Sequence, residues 1–185
     1  MSLHGFRHNK EHNLSDKGAL VNMDDEWQSA GSENAANAEL VSSAPVDASV
    51  DSEESRIIFQ TKRVNLAIAV LPNAFDDARF HIGGMDDPRI ITPLGSEIVL
   101  NVYNQDGLRS HGWKLIRRTP PFPSPEKAAS DPPAFQGAEI SHIPPNEQGT
   151  AHFIVDQPGV YTYICPELND HDIGLYGIWE VVPGH

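Results

Sequence analysis

From residue 56 onward, apolar residues recur at every second position in short runs, and proline and glycine separate the runs. A period of two is the signature of a strand with one buried face. Within 64–71, Leu66, Ile68 and Val70 share a face; within 97–103, Ile98, Leu100 and Val102 do. In 111–116 the shared face carries His111, Trp113 and Leu115, so the apolar pair aims His111 inward at the start of its strand. Shorter runs at 57–59, 78–82, 89–92, 150–155 and 178–182 read the same way. In 160–165, Tyr161, Tyr163 and Cys165 fall on one face, and Val160, Thr162 and Ile164 on the other. Gly83-Gly84, Pro93-Leu94-Gly95 and Gln157-Pro158-Gly159 supply turns. No run has the period of an amphipathic helix. About eight short strands with turns between them predict an all-β sandwich of Greek-key type.

Two stretches break the pattern. Residues 1–55 are poor in large apolar side chains and carry eleven acidic against three basic residues. They read as a disordered acidic tail, with the domain at 56–185. His4, His8 and His12 recur every fourth residue there, but Gly5, Asn9 and Asn13 weaken a helix that would gather them. Asn13-Leu14-Ser15 matches a glycosylation acceptor, a pattern frequent by chance. The second stretch, 117–148, holds eight prolines and is expected to be neither regular helix nor central strand. An excursion this long in a small domain is usually functional or a packed surface flap.

The net charge of −13 argues against nucleic acid and anionic lipid as partners, since both need lysine and arginine. One cysteine cannot make an intrachain disulfide. No apolar stretch near the start reads as a signal peptide, and none is long enough to span a membrane.

Candidate chemistry collects around that one cysteine. Cys165 ends a strand, and a polar loop with Pro166, Asn169, Asp170, His171 and Gly174 follows it. A thiol at a strand end with a histidine six residues on suits a soft metal such as copper, held by thiolate and imidazole. A lone cysteine is otherwise a small apolar core residue, and a histidine in such a loop is otherwise solvated.

Several motifs point further. L-G-S-E-I-V-L-N-V-Y-N at 94–104 is followed by His111; A-F-Q-G-A spans 134–138; P-G-V-Y-T-Y-I-C-P spans 158–166; G-L-Y-G spans 174–177. Together these resemble the cupredoxins, and within them the sulfocyanin-like blue-copper electron carriers, over about residues 65–182. The resemblance implies a Greek-key sandwich and one copper held by two histidines and a cysteine, with a weak axial ligand. It assigns His111 and Cys165 to two of the ligand positions. The ligand loop departs from the family. The second histidine's position holds Asp170, with His171 one residue later, and the axial methionine's position holds Leu175. The third ligand is then His171 if the loop turns tightly at Asn169-Asp170, or Asp170, or the site is empty.

The resemblance further implies transient docking to redox partner proteins through the apolar surface of Leu168, Ile173, Leu175 and Tyr176, a monomer, and a place outside the cytoplasmic membrane. Two rivals stand beside it. A copper-free or altered-metal module could keep the fold without the function. A thiol enzyme would need Cys165 activated, and no helix N-terminus or nucleophile motif offers that; the chain is expected not to be an enzyme.

Overall fold

A computed structural model describes residues 39, 41–71, 78–167 and 175–184. Their strands form two packed sheets. The larger contains β1 (Ala48–Asp51), β2 (Arg56–Phe59), β6 (Arg89–Pro93), β8 (His111–Ile116), β9 (Glu139–Ile143), β11 (Gly159–Ile164) and β12 (Tyr176–Val182), in the order β1-β2-β6-β12-β11-β8-β9. The smaller contains β3 (Arg63–Leu71), β4 (Arg79–Ile82), β5 (Met85–Asp86), β7 (Ser96–Asn104) and β10 (Gln148–Val155), in the order β10-β7-β3-β4-β5. β6 runs parallel to β2 and β12, and β3 parallel to β7; the remaining pairs are antiparallel. The chain therefore changes sheet repeatedly, as the expected Greek-key sandwich requires. No helix of the described residues is long and apolar enough to cross a membrane.

The alternation predicted from sequence fills the space between the sheets. Leu66, Ile68 and Val70 of β3 and Ile98, Leu100 and Val102 of β7 are buried against Ile90, Trp113, Tyr163, Trp179 and Val181. Trp113 stacks on Phe153 and meets Trp179 edge-on, with ring centres 5.8 and 6.1 Å apart. The sheet begins before residue 56, the boundary drawn by composition. β1 pairs with β2, and Val41 is buried with its carbonyl accepting from Gly84 N–H.

The proline-rich excursion is a flap with structure of its own. Helix α1 (Pro125–Ser130) starts inside it, where no regular helix was expected. Pro125 stands in the first turn, where a missing N–H costs nothing, and the Ser124 hydroxyl accepts from Lys127 N–H. Past the helix, the 134–138 motif brackets β8. Ala134 N–H donates to the Leu115 carbonyl and Leu115 N–H to the Ala138 carbonyl, while Phe135 enters the core against Tyr161. β9 then adds an edge strand beside β8.

The flap explains why every residue of β8 is buried. Trp113 and Leu115 face the other sheet, as expected; Lys114 and Ile116 lie under the flap. Ile116 packs with Ala128 and Ile164, and Phe122 meets Tyr176 edge-on. The Lys114 ammonium donates to the carbonyls of Ala129 (2.9 Å) and Asp131 (3.3 Å) and pairs with Glu139 at 3.0 Å. It thus ties the end of α1 to the sheet. Arg118 grips the Asp131 carboxylate with two bonds, at 2.6 and 2.9 Å.

Replacing Lys114 by methionine keeps the stem and removes these bonds. Lys114→Met is expected to cost about 1.5–3 kcal/mol in chemical denaturation. A second prediction concerns Asp87, between β5 and β6. Burial lifts its carboxyl to about 7, against the Phe80 N–H and Arg79, which favour its charge. The native state then keeps a proton that the unfolded chain has released. Stability should therefore fall as pH rises from about 4 to about 7, by up to about 4 kcal/mol, and level off above that. Asp87→Asn should flatten this window in urea denaturation followed across it.

Candidate metal centre

The register of β11 against β8 builds the centre. Ile164 faces Lys114, so the next residue, Cys165, comes beside the first residues of β8. Cys165 Sγ stands 3.8 Å from His111 Nδ1. The backbone pins this corner from both sides. Cys165 N–H donates to the Leu175 carbonyl at 3.2 Å, and Tyr176 faces Ile164 across β11 and β12. The neck of the loop after Cys165 is thereby closed at its base.

Gly112 makes the approach possible. Its N–H donates to Cys165 Sγ at 3.3 Å. A Cβ there would lie 2.6 Å from the Ile140 carbonyl oxygen and 2.9 Å from both the Ser141 carbonyl oxygen and Pro166 Cγ. The β8–β9 ladder slips register between His111 and Trp113, and Gly112 occupies the slip. Gly177, facing Tyr163, has an equally definite cause. The Tyr163 ring lies across it, and no side chain fits there. The Tyr163 hydroxyl donates to the Pro88 carbonyl at 2.5 Å. Burial pushes that phenol well above its ordinary range, so it stays protonated.

His111 is fully buried and turns its other nitrogen to a carboxylate. His111 Nε2 is 3.1 Å from Asp106 Oδ2, and the Asp106 side chain is 4% exposed. Burial would raise the Asp106 carboxyl. The N–H groups of Leu108 (2.9 Å) and Arg109 (3.2 Å), the His111 ring and the Arg109 guanidinium (2.8 Å) outweigh it and hold the carboxyl down at about 2. Asn104 braces the loop. Its side-chain oxygen accepts from Asp106 N–H, and its amide donates to the carbonyls of Arg109, Ile143 and Pro144.

Of the residues expected at the site, the structure brings His111 and Cys165 together. Leu175 is buried at the loop neck, not on the docking surface where it was expected, and Tyr176 is half-buried against Phe122. Asp170 and His171 lie outside the described residues, as do Leu168, Ile173 and the histidines at 4, 8 and 12. Among the described residues no three metal-binding side chains gather. The two donors present still fit a soft metal. A thiol and an imidazole nitrogen 3.8 Å apart are donors that would hold such a metal between them. Asp106, Gly112 and Asn104 were not singled out from sequence. The Asp-Gly pair five residues before His111 was the available signal, an Asx turn leading into the strand.

Neither a protein-family model nor a curated protein matches the chain. Solved structures do match its fold. Rusticyanin from Thiobacillus ferrooxidans aligns with a TM-score of 0.62 at 18% identity, over 80% of this chain and 93% of its own. A methionine-to-leucine variant of rusticyanin aligns with 0.62 at 19%, over 78% and 90%. A histidine-to-methionine variant gives 0.63 at 17%, over 82% and 94%. Rusticyanin is described as a copper protein and has also been solved reduced. These likenesses establish the cupredoxin fold for this chain.

Gly112→Ala should force β9 or the cysteine strand outward and lengthen the bond to Sγ. It is expected to lower the unfolding midpoint, by about 1–3 kcal/mol as an overpacked site, and to raise the accessibility of the Cys165 thiol to alkylation. Thermal denaturation and labelling rates check both.

Proposed function

We propose that the protein binds one copper ion through Cys165 and His111, completed by the following loop, and carries single electrons between larger redox proteins. The observation that carries this reading is the buried His111 nitrogen 3.8 Å from the Cys165 sulfur, on a fold shared with a copper protein. Copper would supply the one-electron redox change, with the thiolate as its covalent path. The protein's part is to hold thiolate and imidazole where both oxidation states accept them. His171 is the preferred third ligand, because a second imidazole suits both states; Asp170 is its rival and would favour Cu(II). The motif matches at 134–138, 158–166 and 174–177 favour a sulfocyanin-like carrier. An extracytoplasmic place, transient docking, a monomeric state and the absence of enzymatic activity belong to the same reading. Leu108, 91% exposed on the loop that leads into His111, adds apolar surface beside the centre. The displaced histidine supports a second reading, a cupredoxin-fold module with an altered metal or none.

Titration with Cu(II), followed by visible absorption, separates the two. An intense thiolate-to-copper band saturating at one copper per chain, and lost in Cys165→Ser, is expected. His171→Ala should then abolish it, while Asp170→Ala should leave it. No band, and no stoichiometric binding of Cu(I) either, would leave the copper-free module. Leu175 offers no axial donor, so the potential should be high, and Leu175→Met should lower it in a voltammetric comparison.

A further inference from the structure

The deepest polar feature beside the centre is the carboxylate behind His111. Asp106 is fixed on every side before any metal arrives. Oδ1 takes the N–H groups of Leu108 and Arg109. Oδ2 takes Arg109 Nε at 2.8 Å and faces His111 Nε2 at 3.1 Å. Asn104 fixes the backbone on which the carboxylate stands. An ionised carboxylate accepts hydrogen bonds and donates none. A neutral ring beside it carries its proton on Nε2 and turns its other nitrogen, Nδ1, to Cys165 Sγ at 3.8 Å.

We infer that Asp106 is the positioning residue of the centre: it holds His111 in the one neutral tautomer that offers Nδ1, on the side of Cys165, to an electrophile. This deepens the copper reading and rests on it only for metal affinity; the tautomer itself is a property of the metal-free protein. The expected consequence for binding follows from the usual weight of such partners, whose loss costs about 10–100-fold in metal affinity.

Asp106→Asn tests it by near-isosteric exchange. The amide has to turn its oxygen to the N–H groups of Leu108 and Arg109. Its NH2 then stands where Oδ2 stood, displaces the Arg109 Nε donor and faces His111 Nε2, which is expected to accept and to move the ring proton to Nδ1. The experiment is nitrogen NMR of the imidazoles in the metal-free full chain at about pH 8, above the ordinary histidine range, with copper affinity measured in parallel. The expected result is a wild-type His111 protonated at Nε2, a variant protonated at Nδ1, and a copper affinity lowered about 10–100-fold. A wild-type ring protonated at Nδ1, or the same tautomer in both proteins, overturns the inference. Should Asp106→Asn not fold, the wild-type spectrum alone decides. If the tautomers differ as stated but neither protein binds copper, the positioning role stands and the copper reading falls.

Discussion

Everything at the candidate centre depends on the register of β11 against β8. His111 and Cys165 are far apart in sequence, and only the pairing of Ile164 with Lys114 sets them side by side. Side chains alternate along a strand, so a slip of one residue would turn His111 away from the core and Trp113 with it. Several contacts resist that slip. Tyr163 lies across Gly177 on one side of β11, and Gly112 receives Pro166 on the other. The bracket that the 134–138 motif places on Leu115 holds β8 from its far edge.

The flap turns this register into rigidity. An outer face left open to water would let β8 and β11 breathe, because exposed sheet hydrogen bonds open at low cost. Here Ile116, Ala128 and Ile164 close that face, and Lys114 neutralises Glu139 while capping the carbonyls of Ala129 and Asp131. Phe122 reaches Tyr176, the residue after Leu175. The excursion thus supports the strand that re-enters the sheet from the candidate ligand loop, which gives a structural reason for so long an insertion at this point in the chain.

The sequence made the long strands legible because burial on one face leaves an alternating record, as in β3 and β7. It concealed β9 and α1 because eight prolines dominate their neighbourhood, and the same residue type breaks a helix inside and starts one at its first turn. It concealed β1 because four residues with little burial carry no period. His111 and Cys165 were legible by residue type and by resemblance. Asp106 and Gly112 were not, since their roles depend on partners that the fold supplies: a ring nitrogen five residues on, and carbonyls on β9. Asp170 and His171 lie outside the described residues, so their reading rests on the sequence alone.

An electron carrier works fastest when its site changes little between oxidation states, which requires donors held by the protein and not by the metal. For the carrier proposed above, the corner around His111 would meet that requirement by its own contacts. Gly112 N–H and the Leu175 carbonyl fix the cysteine from both sides, and Asp106 with Asn104 fixes the imidazole from behind. The buried carboxylate also brings a negative charge to within one imidazole of the donors. In a low-dielectric interior such a charge favours the more positive metal ion, while an axial leucine would favour Cu(I). Asp106 and Leu175 would thus pull a bound copper's potential in opposite directions, and Arg109, paired with Asp106 at 2.8 Å, would offset part of the carboxylate's charge.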